Sequence, residues 1–275
     1  MKRLIAGPWV GEFGWELFAW QGYIRALSRH FDKTTIVSRK LSEPLYNDFC
    51  SNFVSHAPQG TIVDSFFMHG VDFSKDIKKV IVENNISLDS NTTLFIPRRI
   101  GIPPFTHFTQ PVIFGNYVIK PEYKIYGKET SDIDIDYVFH IRNRQSVRPE
   151  DNWSIDNWKK LAELLDTDKI ACIGTQSESG WIDGTLDARD LELQKLFDLL
   201  YNTKCVFGPS SGPMHLASLC NTPHVVWSIE NNKTRYEENW NPHNTDVCFF
   251  SDYNWHPQPE FVYQKFLEFK EKINS

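Results

Sequence analysis

Asp187–Trp227 reads DARDLELQKLFDLLYNTKCVFGPSSGPMHLASLCNTPHVVW. Leu193, Leu196, Phe197 and Leu200 recur at helical spacing and predict an amphipathic helix. Cys205-Val206-Phe207 is a short apolar strand, Pro213–Leu219 a second helix, and Val225-Val226-Trp227 the next strand. Between strand and helix stands Gly208-Pro209-Ser210-Ser211-Gly212-Pro213-Met214-His215. Small residues let a backbone approach a ligand closely, and the N–H groups of a first helical turn lack intrahelical acceptors and attract anions. Ser210 and Ser211 add hydroxyls suited to a phosphate or a sugar. A plain helix cap with Pro213 in the first turn explains the same residues and stands beside the ligand reading.

The same alternation continues outward from this stretch. Tyr137–Ile141 reads as a strand, Ser154 as the cap of a helix with inner face Ile155, Trp158, Ala162 and Leu165, and Ile170–Ile173 as a strand ending at Gly174. The tail repeats helical spacing at Val262, Phe266, Phe269 and Ile273. At the other end, Leu4-Ile5-Ala6 is a strand and Gly7–Gly14 (GPWVGEFG) a glycine-rich loop. A stripe at Leu17, Trp20, Ile24, Leu27 and Phe31 follows, then a β-branched strand at Thr34–Val37. Strand–helix–strand units of this length imply right-handed parallel crossovers. Residues 41–130 are less regular, with strands expected at 61–67, 92–96 and 112–118 and turns at Pro97 and Pro103-Pro104. A polar linker is expected around 120–135. The fold expected is α/β: two facing, Rossmann-like doubly wound domains with a cleft between them, spanning 1–130 and 131–258, and a C-terminal helix over 259–275 that packs back on the body.

The Asp187–Trp227 stretch resembles the C-terminal half of the ADP-heptose:lipopolysaccharide heptosyltransferase family, whose fold is the two-domain glycosyltransferase B type. The resemblance implies that Ser211, Gly212, Met214 and His215 bind the donor's diphosphate, with Asp187 as the upstream acid. Ser210 departs from the pattern, since the family usually has Asp there. In the N-terminal loop, Gly11-Glu12-Phe13-Gly14-Trp15-Glu16 resembles a glycine–acid element of the same family; by that resemblance Glu12 is the catalytic base and Glu16 its understudy, with Gly11 and Gly14 lining the donor. A base has work to do here, because an acceptor hydroxyl loses its proton as it attacks the anomeric carbon. An acid stabilised by a helix N-terminus is the other reading of Glu12. A dinucleotide site is disfavoured, because the full G-x-G-x-x-G is absent.

A second cluster is His140-Ile141-Arg142-Asn143-Arg144, with Arg148. Arginines at a strand end present planar, permanently charged donors to phosphate oxygens. The H-x-R element also resembles the start of the donor domain in fucosyltransferases of this architecture. A solvated basic turn paired with Glu150 and Asp151 is the alternative. Arg235-Tyr236, Trp240-Asn241-Pro242 and His243 read equally as a wall near the donor or as loop packing. Asp132-Ile133-Asp134-Ile135-Asp136 contains D-x-D, a metal signature of the other main glycosyltransferase fold. It precedes a strand instead of ending one, so no metal is expected from it or from any other cluster.

The chain has 275 residues, 29 basic and 35 acidic, for a net charge of −6. That balance disfavours nucleic acid as a dominant partner. Five cysteines without a C-x-x-C pair argue against a disulfide framework. Neither a signal peptide nor a membrane span is legible, so a cytoplasmic protein is expected. The function expected is metal-independent, inverting transfer of a sugar from a nucleoside diphosphate sugar, with no other cofactor, to a hydroxyl on a cell-envelope glycan or lipid-linked sugar. A hydroxylated base in viral DNA is the alternative acceptor, and Arg39, Lys40, Arg98 and Arg99 would then line a basic groove. From other classes come a non-catalytic nucleotide-sugar-binding module and a sugar-nucleotide epimerase.

Overall fold

The computed structural model describes the chain except residues 10, 57–72, 87, 98–110, 147 and 274–275. The expected strand at 61–67, the Pro103-Pro104 turn, and Arg98 and Arg99 lie outside the described residues. The chain divides into two compact α/β units, Met1–Tyr123 and Lys124–Ser275.

In the first unit, β1 (Arg3–Ala6) leads through the glycine-rich loop into a helical run: α1 (Phe13–Trp15), a wide π-type turn (Glu16–Trp20) and α2 (Gln21–Ser28). Then come β2 (Lys33–Ser38), β3 (Asn52–Ser55), α3 (Phe73–Glu83) and β4 (Thr92–Phe95). The strands pair in the order β3-β2-β1-β4, all parallel, with Ile5 opposite Thr35 on one side and Leu94 on the other. The stripe residues Leu17, Trp20, Ile24 and Leu27 are buried as their spacing implies, but the π-type turn inserts a residue into the ladder and rotates the face. All of Gln21–Ser28 is therefore buried, Arg25 included, its guanidinium paired with Asp48 and lying over the Phe49 ring. The single strand expected at 112–118 is instead a hairpin, β5 (Val112–Phe114) and β6 (Tyr117–Ile119), because Gly115 adopts φ +56° and reverses the chain.

The second unit contains β7 (Tyr137–Phe139), α4 (Ile155–Leu165), β8 (Ile170–Gly174), β9 (Leu186–Arg189), α5 (Leu193–Asn202), β10 (Cys205–Pro209), α6 (Gly212–Leu219), β11 (His224–Trp227), β12 (Val247–Phe250) and α7 (Pro259–Ile273). Its sheet is six-stranded and parallel, in the order β12-β11-β10-β7-β8-β9. Strands covered on both faces need apolar side chains on both, and Val138, Phe139, Val206, Phe207, Val225 and Val226 are all fully buried. Ser154 caps α4, its Oγ accepting from the Asn157 N–H at 3.2 Å. Trp158 and Leu161 turn inward from α4, whereas Ile155, in the first turn, stays 39% exposed instead of joining the inner face. Residues 124–130 run along α5 and α6, the Tyr126 N–H bonding the Leu219 carbonyl at 2.9 Å. The five cysteines are free thiols.

The core is aromatic. Trp158 packs on Phe139, Trp153 and Trp227 with ring centroids 4.9–5.4 Å apart, and Val262, Phe266 and Phe269 of α7 close the same cluster. Removing a buried aromatic loses its transfer energy and leaves a cavity, about 3–5 kcal/mol in all. Trp158→Ala is therefore expected to lower the melting temperature by roughly 6–15 °C in a thermal melt followed by circular dichroism.

Candidate functional site

In a doubly wound sheet, ligands sit beyond the carboxyl ends of the strands at the point where the strand order reverses. In the second unit that point lies between β7 and β10, since the chain leaves β7 toward β8 and returns to its other side as β10. Phe139 and Phe207 are register partners there, and the His140 N–H donates to the Phe207 carbonyl at 2.9 Å. His140 and the Ser210-Ser211 turn thus leave adjacent strands side by side. Ser211 Oγ and His140 Nδ1 are 2.8 Å apart. Gly208 makes this approach possible: a Cβ on it would lie 2.6 Å from Met214 Sδ and 3.2 Å from His140 Cβ.

Ser211 is the residue before α6, with Pro213 in the first turn, so the N–H groups of Gly212 and Met214 precede any intrahelical acceptor. Tyr236 holds this turn in place. Its hydroxyl accepts from the Ser211 N–H at 3.0 Å and donates to Ser210 Oγ at 3.1 Å. The Tyr236 ring stacks on His215 at 4.1 Å, Trp240 meets the same imidazole edge-on at 4.4 Å, and Arg235 lies over Trp240 at 5.0 Å. Of the two readings of 235–243, Tyr236 and Trp240 follow the packing one, yet through that packing they build the serine turn. Burial drives His140 down to about 3, helped by Arg144 and Arg142, and pushes His215 well below the ordinary imidazole range, helped by Arg235. Both rings are neutral at physiological pH.

The basic cluster is arranged differently from its sequence reading. Arg142 is 3% exposed, and its Nη1 donates to the Arg148 carbonyl at 2.8 Å and Asn152 Oδ1 at 2.7 Å. Asn152 also accepts the Arg144 N–H and donates to the Arg144 carbonyl, so Arg142 and Asn152 together brace the 142–152 loop. Burial lowers Arg142 to about 10, which leaves it charged. Arg144 lies 3.6 Å from Glu178, and Arg148 lies 3.3 Å from Asp151 and over the Trp255 ring. Arg148 thus makes the Asp151 ion pair of the alternative reading. Asp187 is not brought to the serine turn. It sits mid-strand on the edge strand β9, opposite Cys172, three strands or roughly 14 Å from β10, and its carboxylate is bound by Arg189. The D-x-D acids are engaged as well, Asp134 by Lys169 and Asp136 by Lys204, each at 2.7 Å. Among the described residues no group of three His, Cys, Asp or Glu could hold a metal.

In the first unit the order reverses between β1 and β4, and the glycine-rich loop leaves β1 there. Gly7, at φ +125°, lies so close to β2 that a Cβ would stand 2.2 Å from the Val37 carbonyl oxygen. Glu12 precedes α1, half-buried, its carbonyl accepting the Glu16 N–H at 3.2 Å. Gly11 and Gly14 are buried, and the Gly11 carbonyl accepts from Arg39. Glu16 has no exposed surface. It accepts hydroxyl hydrogen bonds from Ser38, Ser42 and Tyr46, the last two at 2.7 Å. Burial raises Glu16 above the ordinary carboxylate range on balance, while Arg39 and the three hydroxyls turned toward it pull the other way, toward the carboxylate. So enclosed, Glu16 cannot meet a substrate hydroxyl as an understudy base would.

The two parallel sheets define an α/β protein whose fold resembles those of solved glycosyltransferase structures. Over 98% of both chains it resembles the glycosyl transferase family 9 structure from Veillonella parvula DSM 2008, at 14% identity and a TM-score of 0.64. It likewise resembles E. coli heptosyltransferase WaaC with ADP (13% identity, 98% of this chain and 100% of that one, TM-score 0.63) and E. coli ADP-heptose lps heptosyltransferase II (12%, all of both chains, 0.58). At these identities the likeness is one of fold. No family model matches the sequence, and no curated protein matches it.

Neutral buried histidines make stability depend on pH with a definite sign. Their folded pKa values lie below the ordinary 6.5, so the unfolded chain binds more protons at mild acidity; stability is full above about 6.5 and declines as pH falls toward 4 and 3, where His224 and His140 titrate. Melting temperatures measured from pH 7.5 to 4.5 are expected to fall steadily below 6.5, and less steeply in His140→Asn.

Proposed function

We propose that the chain is a metal-independent, inverting glycosyltransferase that moves a sugar from a nucleoside diphosphate sugar to an acceptor hydroxyl. The observation that carries this reading is the meeting of His140 with Ser211 at the strand-order reversal, directly ahead of the α6 N-terminus. Such a turn offers neutral donors and a positive helix end to a diphosphate without competing for it with a carboxylate. The likeness of fold to a heptosyltransferase whose structure was solved with ADP supports it as well.

In this mechanism Glu12 accepts the proton of the acceptor hydroxyl. The oxygen attacks the anomeric carbon from the face opposite the diphosphate, and the carbon–oxygen bond to the diphosphate breaks. The charge left on the diphosphate is stabilised by the first-turn N–H groups of α6, the Ser210 and Ser211 hydroxyls and, more distantly, Arg144 and Arg235. The pairing of Asp134 and Asp136 with lysines supports a reaction that does not use them on a metal. A cell-envelope or lipid-linked sugar is the favoured acceptor. The DNA reading loses one of its groove residues, because Arg39 is turned inward to Gly11 and Glu16. Free cysteines support a reducing, cytoplasmic setting, and no described helix is long and apolar enough to cross a membrane.

Thermal shift against ADP-, GDP-, UDP- and dTDP-sugars tests the donor site. One class at 100 times its dissociation constant is expected to raise the melting temperature by about 5–10 °C, equally with and without magnesium. Tyr236→Phe, which removes the hydroxyl that fixes Ser210 and Ser211, is expected to weaken that ligand about tenfold. A chain that no nucleotide sugar stabilises does not have this function. Glu12→Gln is expected to keep the shift and lose turnover by about 100-fold or more, read as nucleoside diphosphate release.

A further inference from the structure

The buried charge pair under the N-terminal loop has no part in the mechanism so far. Arg39 follows β2, its side chain 12% exposed, with Nη1 3.8 Å from Glu16 Oε2 and Nη2 donating to the Gly11 carbonyl. Nε and Nη1 are buried and find no hydrogen-bond acceptor among the described residues. A guanidinium held this way forgoes hydrogen bonds that water would supply, which is a poor arrangement if stability were its purpose. Glu16, held by Ser38, Ser42 and Tyr46, fixes where that charge sits. The carbonyl that Arg39 grips belongs to the residue before Glu12.

We propose that Arg39 is the positioning residue of the catalytic base: with Glu16 as its nearest counter-charge, it fixes the Gly11 carbonyl and keeps a positive charge against the loop that carries Glu12. This rests on the reading of Glu12 as the base. The titratable groups that act on Arg39 are Glu16, Tyr46 and Glu12. Tyr46 points its hydroxyl at Glu16, so Arg39 is the cation of this cluster and Glu16 the charge that partly offsets it. An adjacent cation favours the ionised form of a carboxylate, which is the form that accepts a proton. Arg39 also ties β2 to the loop, so the base is held against the sheet instead of swinging with the loop.

The test is the pH dependence of nucleoside diphosphate release, with water as acceptor and the nucleotide sugar of greatest thermal shift as donor, from pH 5 to 9. In Arg39→Met the rate is expected to drop about tenfold or more, and the acid limb to move up by roughly half to one pH unit. Arg39→Lys, which keeps the charge but not the fork, is expected to leave the limb in place with a smaller loss of rate. Glu16→Gln removes the offsetting charge and is expected to move the limb down. A merely structural Arg39 would lower the rate in Arg39→Met with the limb unmoved, and that result overturns the proposal while leaving the Glu12 reading intact. If Arg39→Met does not fold, a limb unmoved in Glu16→Gln overturns it equally. If Glu12→Gln releases nucleoside diphosphate as fast as the wild type, the base reading falls and the positioning role with it.

Discussion

The contact between His140 and Ser211 is the constraint around which the second unit is organised. The two residues are 71 positions apart in the chain, and they meet because β7 and β10 are neighbours in a parallel sheet. Everything needed for that meeting is structural. Crossovers must carry the chain to the other side of β7, Gly208 must lack a side chain, and the apolar strands must be covered on both faces by helices. Once the two strand ends are side by side, their loops have nowhere to go but into each other. Tyr236, arriving from beyond β11, completes the serine turn with one hydroxyl.

The two units treat buried charge in opposite ways. In the second, burial neutralises His140, His215 and His224, so the turn ahead of α6 is polar but uncharged except for the helix end itself. In the first, Glu16 and Arg39 face each other 3.8 Å apart below the loop of Glu12, with three hydroxyls donating to Glu16. A neutral turn suits a ligand that brings its own negative charge. A fixed ion pair suits a loop whose carboxylate must be held in one place and one protonation state. In the proposed reaction the first arrangement receives the leaving group and the second governs the base.

Fold class and the serine turn were legible because they rest on local rules. Helical stripes in α5 and α7, the Ser154 cap, the apolar strands and the glycine–proline turns each follow from spacing within about a dozen residues. The expectations that moved were those that depended on neighbours distant in sequence. Arg142 looked like a free phosphate grip because nothing nearby announced Asn152 and the Arg148 carbonyl as its partners. Asp187 was expected at the donor only by resemblance, as the upstream acid, and the sheet order puts it on the far edge. Glu16 was expected as the understudy of Glu12 by resemblance, and only distant residues, Ser38, Ser42 and Tyr46, enclose it.

What the sequence by itself determined is therefore the alternation of strands and helices, the loops that follow strands, and the chemical character of those loops. Each of these depends on side-chain periodicity and backbone preference over short range. Only the tertiary structure decided which loops share a site and which charges are exposed. Strand order, burial and hydrogen-bond partners are set by contacts between residues tens of positions apart. A carboxylate or guanidinium becomes catalytic, positioning or structural according to those contacts, and no local pattern in the chain records them.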